Sequence, residues 1–163
     1  MSLNIQAVWS RPLDLKLVNS GAIYQCPEID SIPYDPGCYI FGRAYDDYAA
    51  PLYIGKALML RRRIEQQLDS VRLMMGIREA QKGGRFVIFC TPALKPGQRA
   101  VKVISILERA LIAHAMSEDF ELLQTQGTKT PNHTISFHGN QTSLELAPKN
   151  MRVPLARWTS FFQ

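Results

Sequence analysis

PGCYIFGRAYDDYAAPLYIGKALMLRRRIEQQL, residues 36–68, sets the architecture. Pro36-Gly37 opens a short apolar run, Gly37-Cys38-Tyr39-Ile40-Phe41, with the punctuation expected at a strand start. A polar loop containing Asp46 and Asp47 follows. Leu52-Tyr53-Ile54 is a second apolar run, and Gly55 ends it in what reads as a tight turn. Beyond Gly55 the apolar spacing changes: Leu60, Ile64 and Leu68 recur every four residues, a helical rather than a strand period. A hairpin feeding a basic helix sets Tyr39 and Tyr53 on adjacent strands, with Lys56 and Arg63 close by.

Upstream, residues 1–35 show no repeat and little periodicity. Ala7-Val8-Trp9 and Gly21-Ala22-Ile23-Tyr24 are candidates for short strands or for segments covering the core, and Pro27, Pro33 and Pro36 break up the approach to the hairpin. Downstream, the helix from about Ala57 gives way to a second helical stretch, Val71 to about Gln81, halted by Gly83-Gly84. Arg85-Phe86-Val87-Ile88-Phe89-Cys90 is the clearest strand by composition. Lys95-Pro96-Gly97 is a turn, and a helix from about Gln98 to Met116 follows. The expected fold class is α/β in the α+β sense: a small three-stranded, largely antiparallel sheet flanked by helices over residues 36–138. Residues 1–35 would be an N-terminal extension packed on that core, and 139–163 a C-terminal one.

With 163 residues, 46% hydrophobic and 20% charged, the chain can bury a real core within one domain. No run approaches the ~18 apolar residues of a membrane span, so no membrane partner is expected. No charged region followed by an apolar one opens the chain as a secretory signal would. Cys26, Cys38 and Cys90 have no metal-ligand spacing, and an odd count is a poor disulfide framework. A reducing, cytoplasmic setting is the expectation.

Charge is unevenly distributed. Residues 1–55 hold three basic and six acidic side chains, whereas 56–85 hold eight basic and three acidic, a net of +5 directly after the tyrosine hairpin. Such a patch suits a polyanion, because neutralising phosphates releases counterions; a solvated helix face is the plain alternative. In the later helix, Ile104, Leu107, Leu111 and Ala115 trace an apolar stripe with Glu108 inside it. A carboxylate there is costly unless it is paired, hydrogen-bonded or bound to a cation. Pairing with a nearby Arg is one resolution, and a bound cation is another.

GCY followed by LYIGK, with an Arg ten residues after the second Tyr and a later helical Glu, resembles the GIY-YIG nuclease superfamily. Cys38 stands where that family most often has Ile. The resemblance covers residues 36–132, roughly 60% of the chain, and implies a metal-dependent endonuclease acting on DNA. Tyr39 and Tyr53 would form a hydrogen-bonded pair that positions or deprotonates a water. Arg63 would clamp the scissile phosphate, Lys56 would add positive charge on the attacking side, and Glu108 would hold a single Mg²⁺ or Mn²⁺. Arg61, Arg62, Gln67 and Asn132 would contact substrate, and Gly55 would let backbones approach closely.

Many members carry His or Tyr at the position of Gln67, which can hydrogen-bond a water but cannot take its proton. Either a Tyr does that work or activity is reduced, so a catalytically weak nucleic-acid-binding module is the alternative. His114 is six residues from Glu108, on another helix face, whereas His133 and His138 sit in polar, loop-like sequence. The family Asn falls either on Asn132, after an extended loop, or is replaced by Gln124. The tail's Trp158, Phe161 and Phe162, interleaved with Lys149, Arg152 and Arg157, could stack bases or dock on the core. An α/β protein whose tyrosines merely fill a sheet remains the plainest competitor.

Overall fold

A computed structural model describes residues 3–19, 23–124 and 132–154, the side chains of 132–134 and 151–154 excepted. Its elements run β1 (Ala7–Trp9), β2 (Leu13–Leu17), β3 (Tyr24–Gln25), a 3-10 turn (Ile29–Ser31), β4 (Gly37–Tyr45) and β5 (Tyr48–Ala57). Then come α1 (Leu60–Leu68), α2 (Val71–Glu79), β6 (Gly84–Pro92), α3 (Ala100–Ser117), β7 (Asn132–Ser136), α4 (Gln141–Leu146) and β8 (Asn150–Pro154). The chain divides into two compact units, residues 1–128 and 129–163.

The first unit is a mixed α+β structure on a six-stranded antiparallel sheet. The expectation of three strands is therefore corrected. β4, β5 and β6 are all present, but the N-terminal extension adds β1, β2 and β3 to the same sheet. β4 lies between β5 and β6, while β1 and β2 pair end to end along the far side of β6. Between them, Ser10 keeps the ladder going: its N–H donates to Phe89 O at 2.8 Å and its Oγ accepts from Phe89 N at 3.1 Å. β3, only two residues long, pairs antiparallel beside the end of β2.

β4 is buried on both faces, which is why it reads as a continuous apolar run rather than an alternating one. Tyr39 and Phe41 point into the larger core with Leu60 and Ile64 of α1 and Met74 and Ile77 of α2. Cys38 packs instead with Cys90 and Ile104, and Ile40 against Ile54, Ile112 and Ala115 on the α3 side. The sheet is thus a middle layer, with α1 and α2 on one face and α3 on the other. All three cysteines are buried and free.

Gly55 does not turn the chain. β5 runs through it to Ala57, and Asp46-Asp47 closes the hairpin, Asp46 taking the left-handed φ of 51° that Asp tolerates. The bend to α1 comes later, at Leu58-Met59. No side chain caps α1; instead its first N–H groups donate to Asp35 O and Pro33 O, both at 3.1 Å, satisfying donors a helix start leaves unpaired.

Two arginines of the basic run serve the fold. Arg61 donates to Ile32 O at 2.7 Å and to Asp30, and its guanidinium lies 4.7 Å from the Tyr34 ring centroid. Arg85, 8% exposed, donates to Ile77 O, Ala80 O, Gln81 O and Gly83 O at 2.6–3.0 Å. It thereby satisfies carbonyls at the end of α2 and in the turn that follows it. Spacing alone gives no sign of either role.

In the second unit β7 and β8 pair antiparallel, with α4 between them, capped by Asn140 Oδ1 accepting from Ser143 N at 3.1 Å. This unit begins ten residues before the boundary expected at 139, because β7 starts at Asn132 within what reads as a loop. The expected contributions of Trp158, Phe161 and Phe162 lie outside the described residues, as do Gly21 and Ala22. No described helix is long and apolar enough to cross a membrane.

Candidate active site

Four elements of the first unit converge on one cleft of about 450 Å³. β4 contributes Tyr39; β5 contributes Tyr53, Gly55 and Lys56; α1 contributes Arg63 and Gln67; α3 contributes Glu108 and Arg109. Register explains the convergence. Gly55 pairs with Tyr39, and Tyr53 with Phe41, so both phenols belong to the α1 side of the hairpin, whereas Lys56 pairs with Cys38 on the α3 side. β5 is the last strand of the sheet, so groups from both faces meet around its edge. Gly55, lacking a Cβ, leaves the space above it to the Tyr39 ring.

Tyr39 and Tyr53 stand diagonally, their rings stacked at 28° with centroids 6.3 Å apart. Gln67 links them: its Nε2 donates to Tyr39 OH at 3.0 Å and to Tyr53 OH at 3.4 Å. Arg63 and Gln67 are four residues apart on α1, which places both on the cleft side of the helix, while Leu60 and Ile64, on the adjoining stripe, anchor the helix in the core.

Glu108 resolves its place in an apolar stripe by pairing, although with Lys56 rather than an Arg. Lys56 Nζ donates to Glu108 Oε2 at 2.6 Å, and the two side chains are 39% and 20% exposed. Arg62 and Arg63 are exposed, and neither makes an ion pair among the described residues.

Gln124 closes the β5 edge. Its Oε1 accepts from Ile54 N at 2.9 Å and its Nε2 donates to Ile54 O at 2.6 Å, while Leu123 N donates to Leu52 O at 2.8 Å. A two-point amide clamp of this kind mimics a further strand. Of the two residues weighed for the Asn that the resemblance implies, it is Gln124 that lines the cleft; Asn132 belongs to β7 of the second unit, with its side chain outside the described residues. Arg61, engaged with Asp30 and Ile32, is not among the lining residues. Arg109 was missed by sequence reasoning, since a residue one step from Glu108 turns by 100° and leaves the apolar stripe.

Burial raises the Tyr39 hydroxyl well above its ordinary value of 10.0, and the neighbouring Tyr53 pushes it further; the Gln67 hydrogen bond and Arg63 oppose this only in part. The folded protein therefore holds that proton more tightly than the unfolded chain does. Its contribution to stability is intact below about pH 10 and is lost as pH climbs from there toward the folded-state value. The denaturant midpoint of the wild type should fall faster above pH 10 than that of Tyr39→Phe. Parallel slopes for the two proteins would contradict the assignment.

Among the described residues there is no group of three or more His, Cys, Asp or Glu placed to hold a metal. The donor set at the cleft is one carboxylate. That suits Mg²⁺, a hard cation that keeps several waters and commonly takes one or two carboxylates plus phosphate oxygens. No protein-family model, no curated protein and no solved structure matches the chain.

Proposed function

We propose that the protein is a metal-dependent endonuclease that hydrolyses DNA phosphodiester bonds with a GIY-YIG-type site. The observation that carries this is the convergence of Tyr39, Tyr53, Gly55, Lys56, Arg63, Gln67 and Glu108, drawn from four elements, on one cleft. A bland sheet would have no reason to gather them.

Phosphodiester hydrolysis needs an oriented water and positive charge where the transition state gathers negative charge. Arg63 presents a planar fork that matches two phosphate oxygens, a geometry Lys cannot reproduce. Tyr39, which keeps its proton, and Gln67 orient by hydrogen bonding. Gln67 cannot accept a proton, which leaves the Tyr53 hydroxyl as the group assigned to the attacking water. Lys56 holds Glu108 in place and brings positive charge beside it. Mg²⁺ or Mn²⁺ held by Glu108 would supply Lewis acidity at a phosphate oxygen and stabilise the leaving oxygen.

The test is incision of supercoiled plasmid by purified protein with Mg²⁺ or Mn²⁺, against an EDTA control. Nicked or linear product only with the divalent ion is expected. DNA binding without cutting has support of its own: Gln67 occupies both phenols and Lys56 occupies Glu108. A gel shift that weakens steeply with salt, with no incision under either metal, would establish that outcome instead.

A further inference from the structure

A second hollow, of about 390 Å³, adjoins the cleft and shares Lys56 and Arg63 with it. Its character is different. Leu58, Met59 and Val101 line it while 52%, 43% and 54% exposed, so three large apolar side chains stand in water beside three cations. Leu58 and Met59 form the bend between β5 and α1, and Val101 lies in the first turn of α3. Buried Ala57 and Ile104 lie beneath. Arg62 and Gln66, both exposed, add a planar cation and an amide to the lining.

A phosphate backbone would account for the cations of this surface but leaves its exposed apolar side chains without a partner. A phosphate clamped at Arg63 has an apolar group within one nucleotide: its base. We propose that this hollow receives the unstacked base of the nucleotide flanking the scissile phosphate, so that the preferred substrate is DNA with an unpaired nucleotide at that position. The inference rests on the nuclease function proposed above and names its substrate class. Apolar side chains and a guanidinium plane are surfaces on which a base face can lie, and Gln66 offers both a donor and an acceptor to a base edge. Continuity with the cleft through Lys56 and Arg63 selects this occupant over an apolar segment of a protein. Extrusion is cheapest where the base is already unpaired, which makes pairing state the selector.

Three short duplexes of otherwise identical sequence test this: fully paired, with one unpaired thymine, and with an abasic residue in place of that thymine. Binding is read by anisotropy and incision by gel. The unpaired thymine should raise both by about tenfold, the order expected from one stacked base, and the abasic duplex should fall back to the paired level. In Leu58→Ser/Val101→Ser the advantage should vanish while incision of the paired duplex persists. Should that variant fold poorly, 2-aminopurine at the unpaired position replaces it, its emission changing on binding to the wild type.

Equal performance of abasic and thymine duplexes would mean flexibility alone is selected, and the hollow takes no base. A variant altered only in oligomeric state, with its thymine preference intact, would assign the hollow to a second copy of the chain. Failure to bind or cut any of the three would remove the nuclease function itself, a separate result from cutting all three alike.

Discussion

Replacing Glu108 by Gln is expected to lower metal-dependent DNA cleavage about 10³-fold, the scale on which a single transition-state contact is worth in a preorganised site, while fold and DNA binding persist. Glu108 is the one carboxylate among the residues lining the cleft, and Gln keeps its shape but not its charge. Stability should change little. The Lys56–Glu108 pair retains access to solvent on both sides, and pairs of that kind contribute about 0–1 kcal/mol. Once unpaired, Lys56 can turn to water instead of being stranded. DNA affinity should hold or rise, because a negative charge leaves a cleft that also carries Arg63 and Arg109. Cutting thus falls while binding does not, which no general loss of structure would produce. Single-turnover incision, gel shift and thermal melting on the same preparation check all three parts. Cleavage within threefold of wild type would reduce Glu108 to a structural partner of Lys56.

What could be read in the chain was what is local or what is anomalous. The hairpin and α1 were legible because short apolar runs bounded by Gly and Pro, and a period-four spacing, are set by neighbours in sequence. Glu108 was legible because a carboxylate amid Ile104, Leu107, Leu111 and Ala115 demands a partner. The extra strands were harder. β2, Leu13-Asp14-Leu15-Lys16-Leu17, does alternate, with Leu13 and Leu15 buried, but five residues beside Pro12 carry little signal, and their partners Val87 and Arg85 lie some seventy positions on. β1 coincides with the candidate strand Ala7-Val8-Trp9, although its side chains are exposed throughout and it is held by backbone pairing with β6. Arg85 belonged by composition to a nucleic-acid patch and by structure to the end of α2, because the carbonyls it satisfies exist only after α2 and β6 have packed. Gln124 could be named only as an option, since its value depends on the free edge of β5, a property of strand order.

Gly55→Ala is expected to damage both stability and cleavage, although it adds only one uncharged methyl group. A Cβ at position 55 would lie 2.5 Å from both Cζ and the hydroxyl oxygen of Tyr39, closer than carbon and oxygen approach without bonding. Tyr39 is 1% exposed, with Phe41 edge-on at 5.8 Å and Tyr53 stacked at 6.3 Å. The ring therefore cannot swing clear without displacing a neighbour. The strand cannot yield easily either, being paired with β4 on one side and clamped at Ile54 by Gln124 on the other. Overpacking of this kind costs about 1–3 kcal/mol, and in a chain of this size each kcal/mol lowers Tm by about 2–4 °C. Whichever group gives way, the Tyr39–Gln67–Tyr53 arrangement moves, and a displacement of about 1 Å in a positioning group can lower turnover about 10²-fold. DNA affinity should stay close to wild type, since Lys56, Arg62, Arg63 and Arg109 are untouched. A double-mutant cycle isolates the cause: in a Tyr39→Ala background, Gly55→Ala should add almost no further destabilisation, because the atoms it strikes are gone. Equal cost in both backgrounds would trace the effect to strand backbone entropy instead, and Gly55 would then owe its place to conformation rather than to the phenol lying over it.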